Sequence, residues 1–202
     1  MKTNYKSNSK KTFDMQAQNY DKTFYGKHAR SNYKHILNEI NQVKKGNILD
    51  VGCGTGEILN ILSKSNYNLY GIDISENMLK KAKTKLKNSA KLTVGDSEHL
   101  PYEDNKFDII ICNDSFHHYP NPLKALNEMK RVLKKGGKII IGDCYQPIIF
   151  RQIMNMFIKF SKEGDVKIYS KKEFTKMLKK FNFKNIKYKK LNNTSCLIKA
   201  FK

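Results

Sequence analysis

The segment Ile48–Leu59, ILDVGCGTGEIL, constrains this chain more than any other stretch. An apolar strand runs into a loop with glycine at 52, 54 and 56, and a helix is expected from Glu57. Glycine accepts positive φ and carries no Cβ, so such a loop turns sharply and lets a ligand lie against its backbone. The helix start adds free amides and the positive end of a dipole, which favour a carboxylate or a phosphate. Spacing separates the candidates. Dinucleotide folds use G-x-G-x-x-G and phosphate loops G-x-x-x-x-G-K-[ST]. Neither occurs here; the pattern is D-x-G-x-G-x-G, in Asp50, Gly52, Gly54 and Gly56.

The chain around this loop reads as alternating strands and helices. Strand Ile48–Val51 leads to helix Glu57–Ser63, and strand Leu69–Ile72 to helix Glu76–Leu86, with Ser75 as its cap. Strand Lys91–Val94 follows. Strand Phe107–Cys112 leads to helix Pro122–Leu133, capped by Asn121 and opened by proline, and strand Lys138–Ile141 begins after Gly136-Gly137. This alternation predicts an α/β fold with a doubly wound, mostly parallel sheet. Helical spacing over Phe13–Tyr25 and Ser31–Val43 predicts helices ahead of the sheet. Ser170-x-x-Glu173 reads as a capping box opening helix Lys171–Phe181, and Asn185–Leu191 with Ser195–Phe201 reads as a closing hairpin.

With 202 residues, one domain over residues 12–202 is the economical reading, preceded by a polar, basic tail over residues 1–11 expected to be disordered. That tail lacks the apolar core of a secretory leader, and no apolar run approaches the roughly 18 residues of a spanning helix. A cytoplasmic setting is therefore expected, with no transmembrane segment. Cys53, Cys112, Cys144 and Cys196 stand far apart without a C-x-x-C pair, which argues against a zinc site or a disulfide framework. The net charge of +21 raises a nucleic acid or an anionic membrane as partner. It comes almost wholly from dispersed lysine, with only Arg30, Arg131 and Arg151 as arginines. A lysine-coated surface is therefore preferred over a dedicated polyanion site.

Four features fall at the carboxyl ends of successive strands, where open α/β sheets bind ligands. They are the glycine loop, Asp73 in GIDIS, Asp96-Ser97 in VGDSEHLPY, and Asn113–Tyr119 in NDSFHHY. Each alone also fits a turn or a cap; their joint order argues for one site. With FDMQAQNYD, ILDVGCGTG and LNEMKRVLKKGGKIIIGD beside them, the chain resembles the class I S-adenosylmethionine-dependent methyltransferases. It is similar to the ubiquinone/menaquinone-biosynthesis and related small-molecule branch. The resemblance implies a seven-stranded sheet of order 3-2-1-4-5-7-6 with an antiparallel last strand and N-terminal lid helices. It implies S-adenosyl-L-methionine as methyl donor and S-adenosyl-L-homocysteine as product.

Residue by residue, the resemblance implies that Asp50 and the loop Gly52, Cys53, Gly54 and Gly56 hold the methionine moiety. Asp73 would take the ribose hydroxyls, Ile74 and Met78 would line the adenine, and Asp96 with Ser97 would read its edge. Asn113 would present backbone to the methionine ammonium, and Tyr20 would cover the cofactor. Methyl transfer from a sulfonium is an in-line displacement that a dry site favours, and it requires no metal. Where the acceptor must lose a proton, His118 and then His117 are the candidate bases, on the expectation that only one of two neighbours faces the pocket. A structural or orienting role for this pair stays open. His99 reads as a loop residue, and His28 and His35 as residues of the N-terminal helices.

Ile148–Phe160 is apolar at most positions, with Arg151, Asn155 and Lys159 as a thin polar stripe. A lid over an apolar acceptor is expected there, with Tyr145, Phe150 and Met154 as lining; a dimer face and a membrane-surface helix are the alternatives. A monomer and a homodimer both remain open. The rival functions are RNA methylation and non-catalytic binding of S-adenosylmethionine. Amino-group methylases of nucleic acids carry [DNS]-P-P-[YFW] after the fourth strand, where this chain has Asn113-Asp114-Ser115-Phe116. A small-molecule acceptor is thus preferred.

Overall fold

Apolar runs that bury both faces build the centre of the sheet. In β4 (Phe107–Asn113), Ile109 and Ile111 join one core cluster while Ile110 and Cys112 join the other, and none is exposed to solvent. β1 (Gly46–Val51) divides the same way, with Ile48 on one side and Leu49 and Val51 on the other. A sheet buried on both faces needs helices on both. The computed structural model describes residues 5–41, 43–158, 160–161 and 164–202. The remaining strands are β2 (Tyr67–Asp73), β3 (Ala90–Val94), β5 (Leu133–Cys144), β6 (Lys184–Lys190) and β7 (Ser195–Phe201). Their order is β3-β2-β1-β4-β5-β7-β6, and β7 runs antiparallel to both β5 and β6. The predicted fold class and strand order are those observed.

Three helices cover one face: α3 (Tyr33–Ile40), α4 (Glu57–Leu62) and α5 (Glu76–Leu86), through Ile36, Ile40, Leu59, Leu62, Ala82 and Leu86. The other face is covered by α6 (Pro122–Val132) and α8 (Lys171–Lys180), through Leu126, Met129, Phe174 and Leu178. The caps are those expected: the Ser75 hydroxyl accepts from Met78 N, Asn121 Oδ1 accepts from Lys124 N, and both halves of the Ser170/Glu173 box are made. These are local interactions, each contributing about 1 kcal/mol.

The amino-terminal region departs from expectation. Residues 5–11 belong to helix α1 (Tyr5–Gln16), so the expected disordered tail is corrected there; residues 1–4 lie outside the described residues. Distant partners order α1. Lys6 pairs with Asp96 at 2.6 Å and Glu98 at 2.7 Å, Ser9 Oγ donates to Gly164 O, and Asp14 Oδ1 accepts from Ser75 Oγ and Asn77 N. The helix expected over Phe13–Tyr25 is broken into the end of α1, a 3₁₀ turn at Tyr20–Lys22 and α2 (Phe24–Ser31). Thr23 caps α2 by accepting from Gly26 N. A Cβ at Gly26 would stand 2.2 Å from Tyr20 O, so this close return suits glycine. Farther on, α6 ends at Val132 and β5 begins directly at Leu133, ahead of the glycine pair expected to separate them. Helix α7 (Ile148–Ile158) forms over the apolar segment. Among the described residues, no helix is long and apolar enough to cross a membrane.

Candidate active site

The glycine loop is tied down by the strand beside it. Gly52 N and Cys53 N both donate to Ile72 O, and Gly54 N donates to Asp73 Oδ2 at 2.8 Å. Gly52 has φ +75°, and a Cβ there would meet Ser115 Oγ at 2.1 Å. A Cβ at Gly54 would meet nothing within 4 Å, so this glycine borders open space. Helix α4 is only six residues long, which leaves the loop amides rather than a long dipole as the polar feature here.

Asp73 ends β2 with each oxygen holding one backbone amide, Ser75 N on Oδ1 and Gly54 N on Oδ2. Burial pushes its carboxyl up to about 6 against those hydrogen bonds. Asp50 is buried at the end of β1 and its Oδ1 has no partner. Burial, and then the charge of Asp73, push Asp50 up to about 8. A buried carboxylate without a partner is costly unless a cation completes it. The residues therefore fit a ligand that brings an ammonium to Asp50 and hydroxyls to Asp73.

Two small contiguous cavities of about 60 Å³ each share Phe13, Gly52, Asp73 and Ser115. Ile74, Asp96 and Ser97 line the first. Tyr20, Asp50, Cys53, Gly54, Met78 and Asn113 line the second. Met78 thus shares a cavity with Asp50 and Asp73. Gly56 lines neither, and its hypothetical Cβ would instead press on Leu86 and Ala82 of α5. Asp96 is already engaged: Oδ2 accepts from the Lys6 ammonium and Oδ1 from Glu98 N, which outweigh burial and hold it below the usual carboxylate range. The Asn113 side chain is locked between Asn32 Nδ2 and Ala29 O.

A third cavity of about 330 Å³ opens on the other side of Phe13 and Tyr20. The 3₁₀ turn Phe116–His118 brings both histidines to it, with ring centroids 4.1 Å apart. The expectation that only one of them could face the pocket is corrected: in a turn this tight, both rings stack toward the same side. His117 Nδ1 lies 2.5 Å from Asp143 Oδ1. His118 Nδ1 lies 3.2 Å from Asp165 Oδ1, out of line for a hydrogen bond. Burial lowers His117, but the Cys144 and Asp143 charges outweigh it and hold it well above the usual histidine range. Burial, then the neighbouring His117, push His118 down to about 4.

A third imidazole completes the group. His28, placed by α2, bonds Asp114 Oδ2 at 2.8 Å through Nδ1 and approaches Thr194 O at 3.1 Å through Nε2. Asp114, Asp143, Asp165, Cys144 and His28 were missed from sequence. Asp143 and Cys144 end β5, so the strand-end rule that found Asp73 also reaches them. His28 has no such signal, because it depends on how α2 packs. Met154 lines this cavity as expected, while Phe150 and Tyr145 do not.

Asp114, His117, Asp143 and Cys144 offer donor atoms within 4.8 Å of one another, as do His117, His118 and Asp165. Neighbouring ligands on one zinc ion lie about 3.3 Å apart when the bonds are near 2 Å. His117 Nδ1 and Asp143 Oδ1 are closer than that, at hydrogen-bonding distance.

A methyltransferase-domain family model matches residues 49–141. The demethylmenaquinone methyltransferase of Staphylococcus haemolyticus is 37% identical over 145 residues, covering 68% of this chain and 61% of that protein. The protein of the same name from Staphylococcus aureus strain MRSA252 is 40% identical over 134 residues, 63% of this chain and 56% of the relative. The chain belongs to the class I S-adenosylmethionine-dependent methyltransferases. It spans less than two thirds of the length of those two relatives. The methyltransferase fold is shared with a SAM-dependent methyltransferase of Aquifex aeolicus (TM-score 0.67, 24% identity, 84% of this chain and 88% of that one). It is shared too with an N-methyltransferase of Haemonchus contortus in complex with S-adenosylhomocysteine (TM-score 0.70, 18% identity, 85% of this chain and 52% of that one).

Proposed function

We propose that this chain moves a methyl group from S-adenosylmethionine to a small, largely apolar ring acceptor carrying an ionisable oxygen. The observation that carries the reading is Asp73. Anchored by the amides of Gly54 and Ser75, its carboxylate stands beside an open glycine, where it can accept from neighbouring hydroxyls. Asp50, Gly52, Cys53 and Gly54 take the methionine end, with Asp50 facing its ammonium and Gly56 turning the loop. Tyr20 and Asn113 flank that end, while Ile74, Met78, Asp96 and Ser97 take the adenine. The relatives' printed activity, methylation of a demethylmenaquinone, supports a quinol-like acceptor class. So does a cavity lined by Phe24, Tyr25, Met154 and Ile158.

The bound donor supplies an electrophilic methyl on a sulfonium, and the chain supplies alignment, which can contribute about 7–11 kcal/mol. His118 is neutral at pH 7 and takes the acceptor's proton. His117, kept protonated beside Asp143, holds the oxygen on which negative charge gathers. Two neighbouring histidines with pKa values pushed apart provide a base and a cation in one cavity. His28 with Asp114 bounds the far wall. With four free cysteines, the cytoplasm is the setting we assign.

Calorimetry with S-adenosylhomocysteine and with NADH, followed by methyl transfer to a demethylated naphthoquinol, tests this reading. Binding of the first ligand alone and methylation of the quinol are expected. Binding of the dinucleotide instead, or no binding of S-adenosylhomocysteine, would overturn it.

A further inference from the structure

Helix α7 is built inside out. Its polar residues Arg151 and Asn155, one turn apart, turn toward the protein. Arg151 Nη1 donates to Gln146 O, and Asn155 exchanges two hydrogen bonds with the backbone of Ile168, at 3.0 and 2.9 Å. Ile148, Ile149, Phe150, Ile153, Met156 and Phe157 stay exposed, from 48% at Ile153 to 66% at Ile149, and no described residue of the helix is buried. A surface helix of a globular protein normally shows the opposite order, and an apolar patch of this extent marks an interaction surface. The patch continues onto α2, where Phe24 is 74% exposed and Tyr25 42%. Phe24 and Tyr25 line the same cavity as Met154 and Ile158, so the apolar surface surrounds the mouth of the acceptor pocket.

We infer that α7, with Phe24 and Tyr25, docks on an anionic lipid surface and that the acceptor enters the cavity from there. Charge selects this occupant over a second copy of the chain. At +21, two copies set face to face oppose like charge with like, whereas acidic headgroups neutralise it. Helix α7 itself carries no acidic residue. Arg151 and Asn155 of its thin polar stripe attach it to the protein. The lysines come from other elements. Lys22 and Lys27 are exposed on either side of Phe24 and Tyr25, and the Lys190 ammonium lies 4.9 Å over the ring of Tyr145, just ahead of α7. Such a helix lies in the interface with its apolar face among the acyl chains while basic side chains hold the headgroups. The docking stands on this surface alone; the entry route rests on the methyl-transfer reading.

The test is cosedimentation of the full chain with phosphatidylglycerol vesicles and with phosphatidylcholine vesicles, beside the triple variant I149E/F150E/F157E. Light scattering in solution and S-adenosylhomocysteine calorimetry accompany it. The wild type is expected to favour phosphatidylglycerol, and the triple variant to lose about tenfold or more of that partitioning while binding S-adenosylhomocysteine unchanged. If the triple variant does not fold, Phe150→Ser carries the same comparison with a smaller loss. A wild type that stays in the supernatant overturns the inference. So does a variant that sediments like the wild type, since charge alone would then suffice, and so does a solution dimer that the variant splits. Vesicle binding without S-adenosylhomocysteine binding would instead sink the methyl-transfer reading and leave the docking surface standing.

Discussion

The cofactor half and the acceptor half of this cleft are built by different means. In the first, Asp50, the glycine loop and Asp73 lie within 24 consecutive positions, and backbone amides set the geometry: Ile72 O takes Gly52 N and Cys53 N, and Asp73 takes Gly54 N. In the second, titratable side chains from four separate stretches converge, as His28, Asp114 with His117, Asp143 and Asp165. A backbone-built site tolerates little variation in spacing and so leaves a motif. A site assembled from side chains leaves a weaker trace, at the ends of β4 and β5 for His117 and Asp143 and none for His28, which α2 packing brings in.

The largest effect that separates the halves is expected at Asp73. On the proposed role, Asp73→Ala would remove two ribose hydrogen bonds to a charged acceptor, each contributing roughly 1.5–3 kcal/mol, so S-adenosylhomocysteine affinity should fall by about a hundredfold or more in calorimetry. His118→Ala should lower kcat by about 10²- to 10³-fold while leaving that affinity unchanged. Equal loss of affinity in both variants would mean that the halves are one unit. The pH profile sharpens the point. Activity should rise as His118 loses its proton near pH 4 and fall on the alkaline side as His117 loses its own, and His117→Gln should erase the alkaline limb and, by removing the charge that depresses His118, move the acid limb to higher pH.

Asp50 gives a smaller signal confined to the cofactor half. Its carboxyl is raised to about 8, so at pH 7 it is largely protonated, and a ligand ammonium should displace that proton. Calorimetry in buffers of different ionisation enthalpy should show proton release on binding. Asp50→Asn should abolish the release and weaken binding by about tenfold. The smallest effect belongs to Lys6→Ala. Its pair with Asp96 is partly exposed, so the loss should stay within about 1 kcal/mol, read as a change in S-adenosylhomocysteine affinity of a fewfold at most.

The same contrast explains what could be read from sequence. The central strands and the glycine loop were legible because continuous apolar runs and D-x-G-x-G-x-G are local patterns, and the strand order followed from the family resemblance those motifs carry. Helix α1 was not, because a polar, lysine-rich stretch gives no apolar period and its order depends on Asp96, Glu98 and Gly164. The orientation of α7 was illegible for the opposite reason. Its polar stripe was visible, but only Ile168 reveals which way that stripe faces.

Phe13 stands at the junction of all three cavities, with its ring edge-on to His118 at 5.0 Å and to Tyr20 at 6.1 Å. One side chain therefore forms a wall of both proposed binding sites. Whatever free energy the first ligand spends or gains in setting that ring is felt by the second. Thermodynamic reciprocity then requires the acceptor to alter donor affinity by the same factor as the donor alters acceptor affinity.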